Sequence, residues 1–173
     1  ADIFNNPKGY GFAAHRITIS TAGVLPKINK FYKEKRKYKL AISLNASNDL
    51  TRSKIMPINN KWSILSLVEI GKKHASRNSK VMFEYVLLAG INDSIEDAEQ
   101  LSRILKGVDC KINIIPYNEI DGLYKRPNNQ VIEEFLKILY INQDRYRIMV
   151  RWSKGQDINA GCGQLAINEA DDE

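Results

Sequence analysis

Cysteine is scarce in this sequence. Two residues, Cys110 and Cys162, among 173 are too few for a disulfide framework. A packed core must hold the fold, and a reducing, cytoplasmic setting is expected. Histidine is equally scarce. His15 and His74 lie far from each other and from both cysteines, so no metal-ligand cluster can be read from the chain. No run approaches the roughly 18 consecutive apolar residues of a membrane span, and no membrane association is expected. The opening Ala-Asp-Ile-Phe-Asn-Asn-Pro lacks the basic head and apolar stretch of a secretory signal. An initiator methionine is missing too, and from this we expect further sequence upstream.

What is present suits one globular domain or a large piece of one. The hydrophobic share, 43%, is ordinary for a chain with a real core. The net charge is +6 and uneven. Lys27, Lys30, Lys33, Lys35, Arg36, Lys37 and Lys39 crowd one segment, while Glu169, Asp171, Asp172 and Glu173 make the tail acidic. The basic run fits a surface for a polyanion such as RNA. It fits a solvated helix face equally well.

Apolar, β-branched runs at 16–20, 40–44, 81–87, 111–115 and 147–151 each have the length of one strand. Helical periods separate them. Val24, Leu25, Ile28, Phe31 and Tyr32 mark one face, and Ile64, Leu67, Val68 and Gly71 another. Ile95, Ala98, Leu101, Ile104 and Leu105 form a third, and Val131, Ile132, Phe135, Leu136 and Leu139 a fourth. Ser94 with Asp97 reads as a capping pair, Gly107 as a helix stop, and Asn128 or Asn129 as the last helix's cap. A long polar connection, 119–129, precedes that last helix. Strands that alternate with helices imply a parallel α/β sheet, open or barrel-like.

In such folds the chemistry gathers at the carboxyl ends of the strands. Those ends carry Ser20-Thr21, Ser43-Leu44-Asn45, Pro116-Tyr117-Asn118, and Arg151, Ser153 and Lys154. Any one Ser or Asn there could simply cap a helix. Four such ends together point to a polar ligand. The most informative segment is Lys154-Gly-Gln-Asp-Ile-Asn-Ala-Gly-Cys-Gly-Gln-Leu165. Cys162 stands between two glycines, which remove side-chain cover and let a substrate approach the sulfur, so we read it as a reactive thiol. Cys110 opens an apolar strand with no glycine beside it and is expected to be buried.

Six blocks now become recognisable: 16–26 (RITISTAGVLP), 41–49 (AISLNASND), 56–59 (MPIN), 84–88 (EYVLL), 110–118 (CKINIIPYN) and 155–165 (GQDINAGCGQL). In order and spacing the chain resembles the dual-specificity ribosomal and transfer RNA adenine-C2 methyltransferases of the radical S-adenosylmethionine (SAM) superfamily. The resemblance implies a partial (β/α)6 radical-SAM barrel over residues 1–173, with 154–165 carrying the methyl-carrier cysteine. It places Ser20, Ser43, Leu44, Asn45 and Asn118 against SAM and makes Cys162 the S-methylcysteine. One SAM would methylate Cys162. A second would be cleaved reductively at a [4Fe–4S] cluster, and the resulting radical would convert the methyl group into one that adds to carbon 2 of adenine. A second cysteine and a base would then resolve the protein–RNA adduct. Carbon 2 is electron-poor, so polar transfer would fail there, and the cofactors carry the hard step. The target base must leave its stack to reach a thiol inside a barrel.

The resemblance also implies 23S rRNA and tRNA as partners, an electron donor such as flavodoxin, and a cytoplasmic monomer. The chain departs from the family pattern. The C-x3-C-x2-C cluster motif and the Gly-Glu-Pro block are absent, and Asn45 replaces a usual histidine. Cluster ligands are therefore expected outside this chain, and these residues alone are expected to be inactive. The related C8-adenine methyltransferases that confer antibiotic resistance share the carrier cysteine and are an alternative. A non-catalytic RNA-binding remnant is another.

Overall fold

The computed structural model describes residues 1–74, 81–119 and 122–152. Its frame is a sheet of five parallel strands in the order β1-β2-β3-β4-β5: β1 (Thr18–Thr21), β2 (Lys39–Ser43), β3 (Val81–Leu87), β4 (Cys110–Pro116) and β5 (Arg147–Val150). Each lies within two residues of the run its sequence marks out. Between them come α2 (Leu25–Lys33), α4 (Ile64–His74), α5 (Ile95–Leu105) and α6 (Asn129–Ile141). A short α1 (Asp2–Asn5) precedes β1, and α3 (Asp49–Ile55) with a 3-10 turn (Pro57–Asn60) fills the connection after β2.

Each strand pairs with the next one in sequence. Right-handed crossovers repeated in one direction put every helix on the same face. Burial agrees. Along β3, Val81, Phe83, Tyr85 and Leu87 are sealed, while Met82, Glu84 and Val86 between them are half-buried. The sealed side meets Ile28 of α2, Leu67 of α4, Leu101 of α5 and Phe135 of α6 in one core. Cys110 belongs to that core and is fully buried, as expected.

The local signals act as read. Ser94 Oγ accepts from the Asp97 amide at 3.0 Å, and the Asp97 carboxylate returns to the Ser94 amide, which completes a capping box. Gly107 lies just past α5 with φ +75°, a left-handed turn that a side chain would strain. Asn128, rather than Asn129, caps α6, accepting from the Val131 amide at 2.9 Å.

His74 is half-buried. It closes α4 and stacks on Tyr32, with ring centroids 3.9 Å apart and an interplanar angle of 11°. Its Nε2 is buried without a hydrogen-bond partner among the described residues. Burial first, and the Lys73 charge second, hold its pKa below the ordinary value. Burial also pushes the Tyr32 hydroxyl up to about 12. The folded chain thus resists protonating His74, whereas the unfolded chain does so near pH 6.5. The unfolded state binds more protons in that window, so stability should fall as pH drops through it. In His74→Phe, which keeps the stack, the urea midpoint should fall less between pH 7 and pH 5 than in the unaltered chain. Parallel urea titrations at the two pH values check this.

Candidate ligand site at the carboxyl ends of the strands

The strand register aligns side chains on the face away from the helices. One row runs Ser20, Ala41, Met82, Lys111, Arg147. The next, nearer the carboxyl ends, runs Ser43, Glu84, Asn113, Met149. Beyond it Val86 pairs with Ile115. A parallel sheet ordinarily has both faces covered by apolar layers. This face is instead polar and, among the described residues, carries no helix. Such a surface suits a polar ligand better than a second apolar layer.

Of the residues read as ligand contacts, Ser20 is exposed and Ser43 half-buried, on neighbouring strands of this face. Asn118 is half-buried, two residues past β4. With Glu119, Arg126 and Asn129 it lines a cleft of about 430 Å³. Arg126 also lies over the Trp152 ring, 5.7 Å from its centroid.

Leu44 and Asn45 contribute differently. Leu44 is fully buried. Its amide donates to the Glu84 carbonyl at 2.9 Å and its carbonyl accepts from Arg52 Nε at 2.8 Å. Asn45 adopts φ +55°, a left-handed conformation that asparagine tolerates better than most residues. There its Oδ1 accepts from the Val86 amide at 3.0 Å and its Nδ2 points to Met56 Sδ at 3.3 Å. The Asn45 amide therefore stands in for the next residue of β2 and finishes the sheet edge. Cys162 and the 154–165 segment lie outside the described residues.

Sequence reasoning missed two groups that hold these strand ends. Arg52 of α3 is fully buried. It donates to the carbonyls of Leu44, Ser43 and Ala22 at 2.8, 2.9 and 2.8 Å, to Asn59 Oδ1 at 3.0 Å and to the Trp62 carbonyl at 3.4 Å. Burial lowers its pKa, and the Asp49 charge partly opposes this. Gly23, at φ +105°, lets the chain pass beside it: a Cβ there would stand 2.8 Å from Leu67 Cδ1 and 3.4 Å from Arg52 Nη2. Asn92, also fully buried, accepts from the Leu88 amide at 2.7 Å and donates to the carbonyls of Asn45 and Val86, both at 2.8 Å. An arginine among backbone carbonyls leaves no hydrophobic period to detect. The cue that could have found it is a cation closely followed by helix-breaking Pro57 and by Asn59.

The basic run starts in α2, just past the carboxyl end of β1, and its later part, 35–39, reaches the other end of the sheet. Lys35, Arg36 and Lys37 lead into the amino end of β2, four residues from Ser43 at its carboxyl end when counted from Lys39, roughly 13 Å of strand. Arg36 is already engaged with Glu34 at 2.7 Å and Asp2 at 3.2 Å. That later part is therefore remote from the strand-end site.

No family model matches the chain. Curated relatives do. The dual-specificity RNA methyltransferase RlmN of Desulfotalea psychrophila is 42% identical over 96% of this chain and 46% of its own length. RlmN 2 of Myxococcus xanthus is 44% identical over 95% of the chain and 43% of its own. Among solved structures, a radical SAM methyltransferase from Sphaerobacter thermophilus superposes with a TM-score of 0.86 at 39% identity, over 94% of this chain and 48% of that one. A domain of pyruvate-formate lyase-activating enzyme from Bacteroides vulgatus shares the fold alone, at 14% identity and a TM-score of 0.60. The chain spans a little under half the length of the curated relatives it matches. Over its own length, then, the chain is a relative of the dual-specificity RNA methyltransferases RlmN and has the parallel α/β fold of a radical SAM methyltransferase.

Proposed function

We propose that these residues form part of the catalytic barrel of a radical SAM RNA methyltransferase acting on carbon 2 of adenine in 23S rRNA and tRNA. The observation that carries this reading is 42% identity to a dual-specificity RNA methyltransferase, sustained over 96% of the chain. On this reading residues 1–173 belong to one barrel domain, with 154–165 as its carrier segment.

SAM, when bound, supplies a methyl group on a sulfonium leaving group. The polar strand ends fit it. Ser20 and Ser43, on neighbouring strands, and Asn118, just past β4, offer neutral donors and acceptors, while Leu44 and Asn45 act through the turn they build. Cys162 provides the nucleophile. Its thiolate, the thiol proton having passed to solvent, would accept that methyl group as the sulfonium sulfur left with the bonding pair. Cys110 is sealed in the core and cannot take that part.

A [4Fe–4S] cluster does not fit this chain's own residues. It requires several cysteine thiolates, and the sequence has two, one of them buried. No group of three or more His, Cys, Asp or Glu side chains gathers among the described residues. Its ligands are assigned to residues outside these 173. No helix among the described residues is long and apolar enough to cross a membrane. A cytoplasmic monomer reduced by a donor such as flavodoxin is part of the same proposal.

The test uses the full-length gene product, supplied with SAM, a reductant and 23S rRNA or tRNA. Peptide mass spectrometry should find a methyl group on Cys162, and mapping of the RNA should place the product methyl on adenine carbon 2. A methyl on carbon 8 would favour the resistance enzyme. Unmodified RNA together with unmodified Cys162 would overturn the proposal.

A further inference from the structure

Glu84 shares the sheet face of Ser43 and is its register neighbour on β3. It lies in the middle of β3 with fully buried Phe83 and Tyr85 on either side in sequence, so its own side chain is directed to the face away from the helices. Its register partners there are Ser43 on β2 and Asn113 on β4, each one strand spacing away, roughly 4.8 Å. Its backbone is committed to the sheet, the carbonyl accepting from the Leu44 and Asn45 amides at 2.9 and 3.3 Å. Among the described residues its half-buried carboxylate makes no hydrogen bond and no ion pair.

A half-buried carboxylate is better held with donors or a positive charge beside it than without. Lys111 and Arg147 carry positive charge in the adjoining row but form no ion pair with Glu84. Asn113, 8% exposed, likewise makes no side-chain hydrogen bond among the described residues. Across the aligned rows from Ser20 to Arg147 and from Ser43 to Met149, Glu84 is the single acidic side chain. Serine, asparagine and amide groups can hold the uncharged parts of a nucleoside. A cationic part calls for an anion at the same level of the sheet.

We infer that Glu84 is a further ligand-binding residue, whose carboxylate receives the positively charged portion of SAM, its sulfonium or its ammonium group, beside Ser43. This rests on the function proposed above. It adds a charge-recognising group beside the neutral Ser20 and Ser43 on the neighbouring strands. The carboxylate also distinguishes the charged donor from neutral nucleosides of the same shape, because Coulomb attraction in a partly desolvated site exceeds that in water.

Calorimetric titration of the full-length gene product tests it, using SAM, S-adenosylhomocysteine and 5′-methylthioadenosine as probes. The second keeps the ammonium but not the sulfonium, and the third has neither positive group. Glu84→Gln should weaken SAM binding about tenfold, as expected for loss of one charge-assisted contact, and leave 5′-methylthioadenosine unchanged. Loss for S-adenosylhomocysteine as well as SAM identifies the ammonium as the partner; loss for SAM alone identifies the sulfonium. Equal loss for all three probes, or no loss for SAM, overturns the inference and leaves the proposed function standing. Failure of the unaltered protein to bind SAM overturns both. Thermal midpoints measured alongside separate a folding defect from a lost contact, and if Glu84→Gln does not fold, Glu84→Asp is expected to weaken SAM binding selectively in the same way.

Discussion

Replacing Arg52 with methionine should lower folding stability by about 3–5 kcal/mol. The expectation follows from what the guanidinium leaves behind. Its donors reach three backbone carbonyls at 2.8–2.9 Å, those of Ala22, Ser43 and Leu44, and these cannot be replaced by apolar groups as paired side chains can. Each buried acceptor left unsatisfied costs about 1–3 kcal/mol. Burying a cation is itself unfavourable, as its depressed pKa shows. The folded state accepts that cost because one planar fork closes the ends of β1 and β2 and the turn around Asn59 together. Arg52→Lys keeps the charge but loses the fork and should recover less than half of the deficit. Urea unfolding of the three proteins, with m-values compared, measures this. A methionine variant within about 1 kcal/mol of the unaltered chain would contradict the account, since a loss that small matches one ordinary hydrogen bond. Because Ser43 is held through its own carbonyl, ligand affinity at the strand ends should fall with stability.

The same arginine marks where the sequence stops being legible. The strands are easily read because one face of each packs on the helices, so their apolar residues recur. β3 matches its run residue for residue, and the Ser94–Asp97 cap is a local hydrogen-bond pattern that short spacing encodes. Helix α3 offers neither signal. Its buried side chain is Arg52, while Leu50 is 73% exposed, so hydrophobic periodicity finds nothing between Asp49 and Ile55. Residue type at a strand end is ambiguous for a related reason. Ser43, Leu44 and Asn45 follow one another, yet one faces the open side of the sheet, one enters the core, and one spends its amide on Val86 and Met56. Which hydrogen bonds are already satisfied depends on chain segments some 40 residues away in sequence, as the Asn45–Val86 pair illustrates. No local pattern carries that. The basic run is a similar case: its charge is plain in the sequence, but the position of its later part at the amino end of β2 follows only from strand direction.

Asn92 should be the second most sensitive position, with Asn92→Ala costing about 3 kcal/mol or more from three buried hydrogen bonds. Its amide is the only side chain tying the Leu88 amide to the carbonyls of Asn45 and Val86 among the described residues. Its own carbonyl anchors the buried Tyr85 hydroxyl at 2.7 Å. Asn92→Asp sharpens the argument, because it changes donors and not shape. The acceptor for Leu88 survives, but a carboxylate oxygen then confronts two carbonyls. At neutral pH this variant should be no more stable than Asn92→Ala. Burial and those carbonyls disfavour the ionised form, so the folded pKa of the new carboxyl should rise above its unfolded value. Its protonated form regains one donor, and that contribution is complete below the unfolded pKa and lost as pH rises through the folded one. Asn92→Asp should therefore close part of its deficit, relative to the unaltered chain at each pH, when urea unfolding is moved from pH 7 to pH 5. Asn92→Ala should show no such recovery. Equal pH dependence in the two variants would mean that the amide donors at this strand end are not what holds Asn45 in its left-handed turn beside the ligand face.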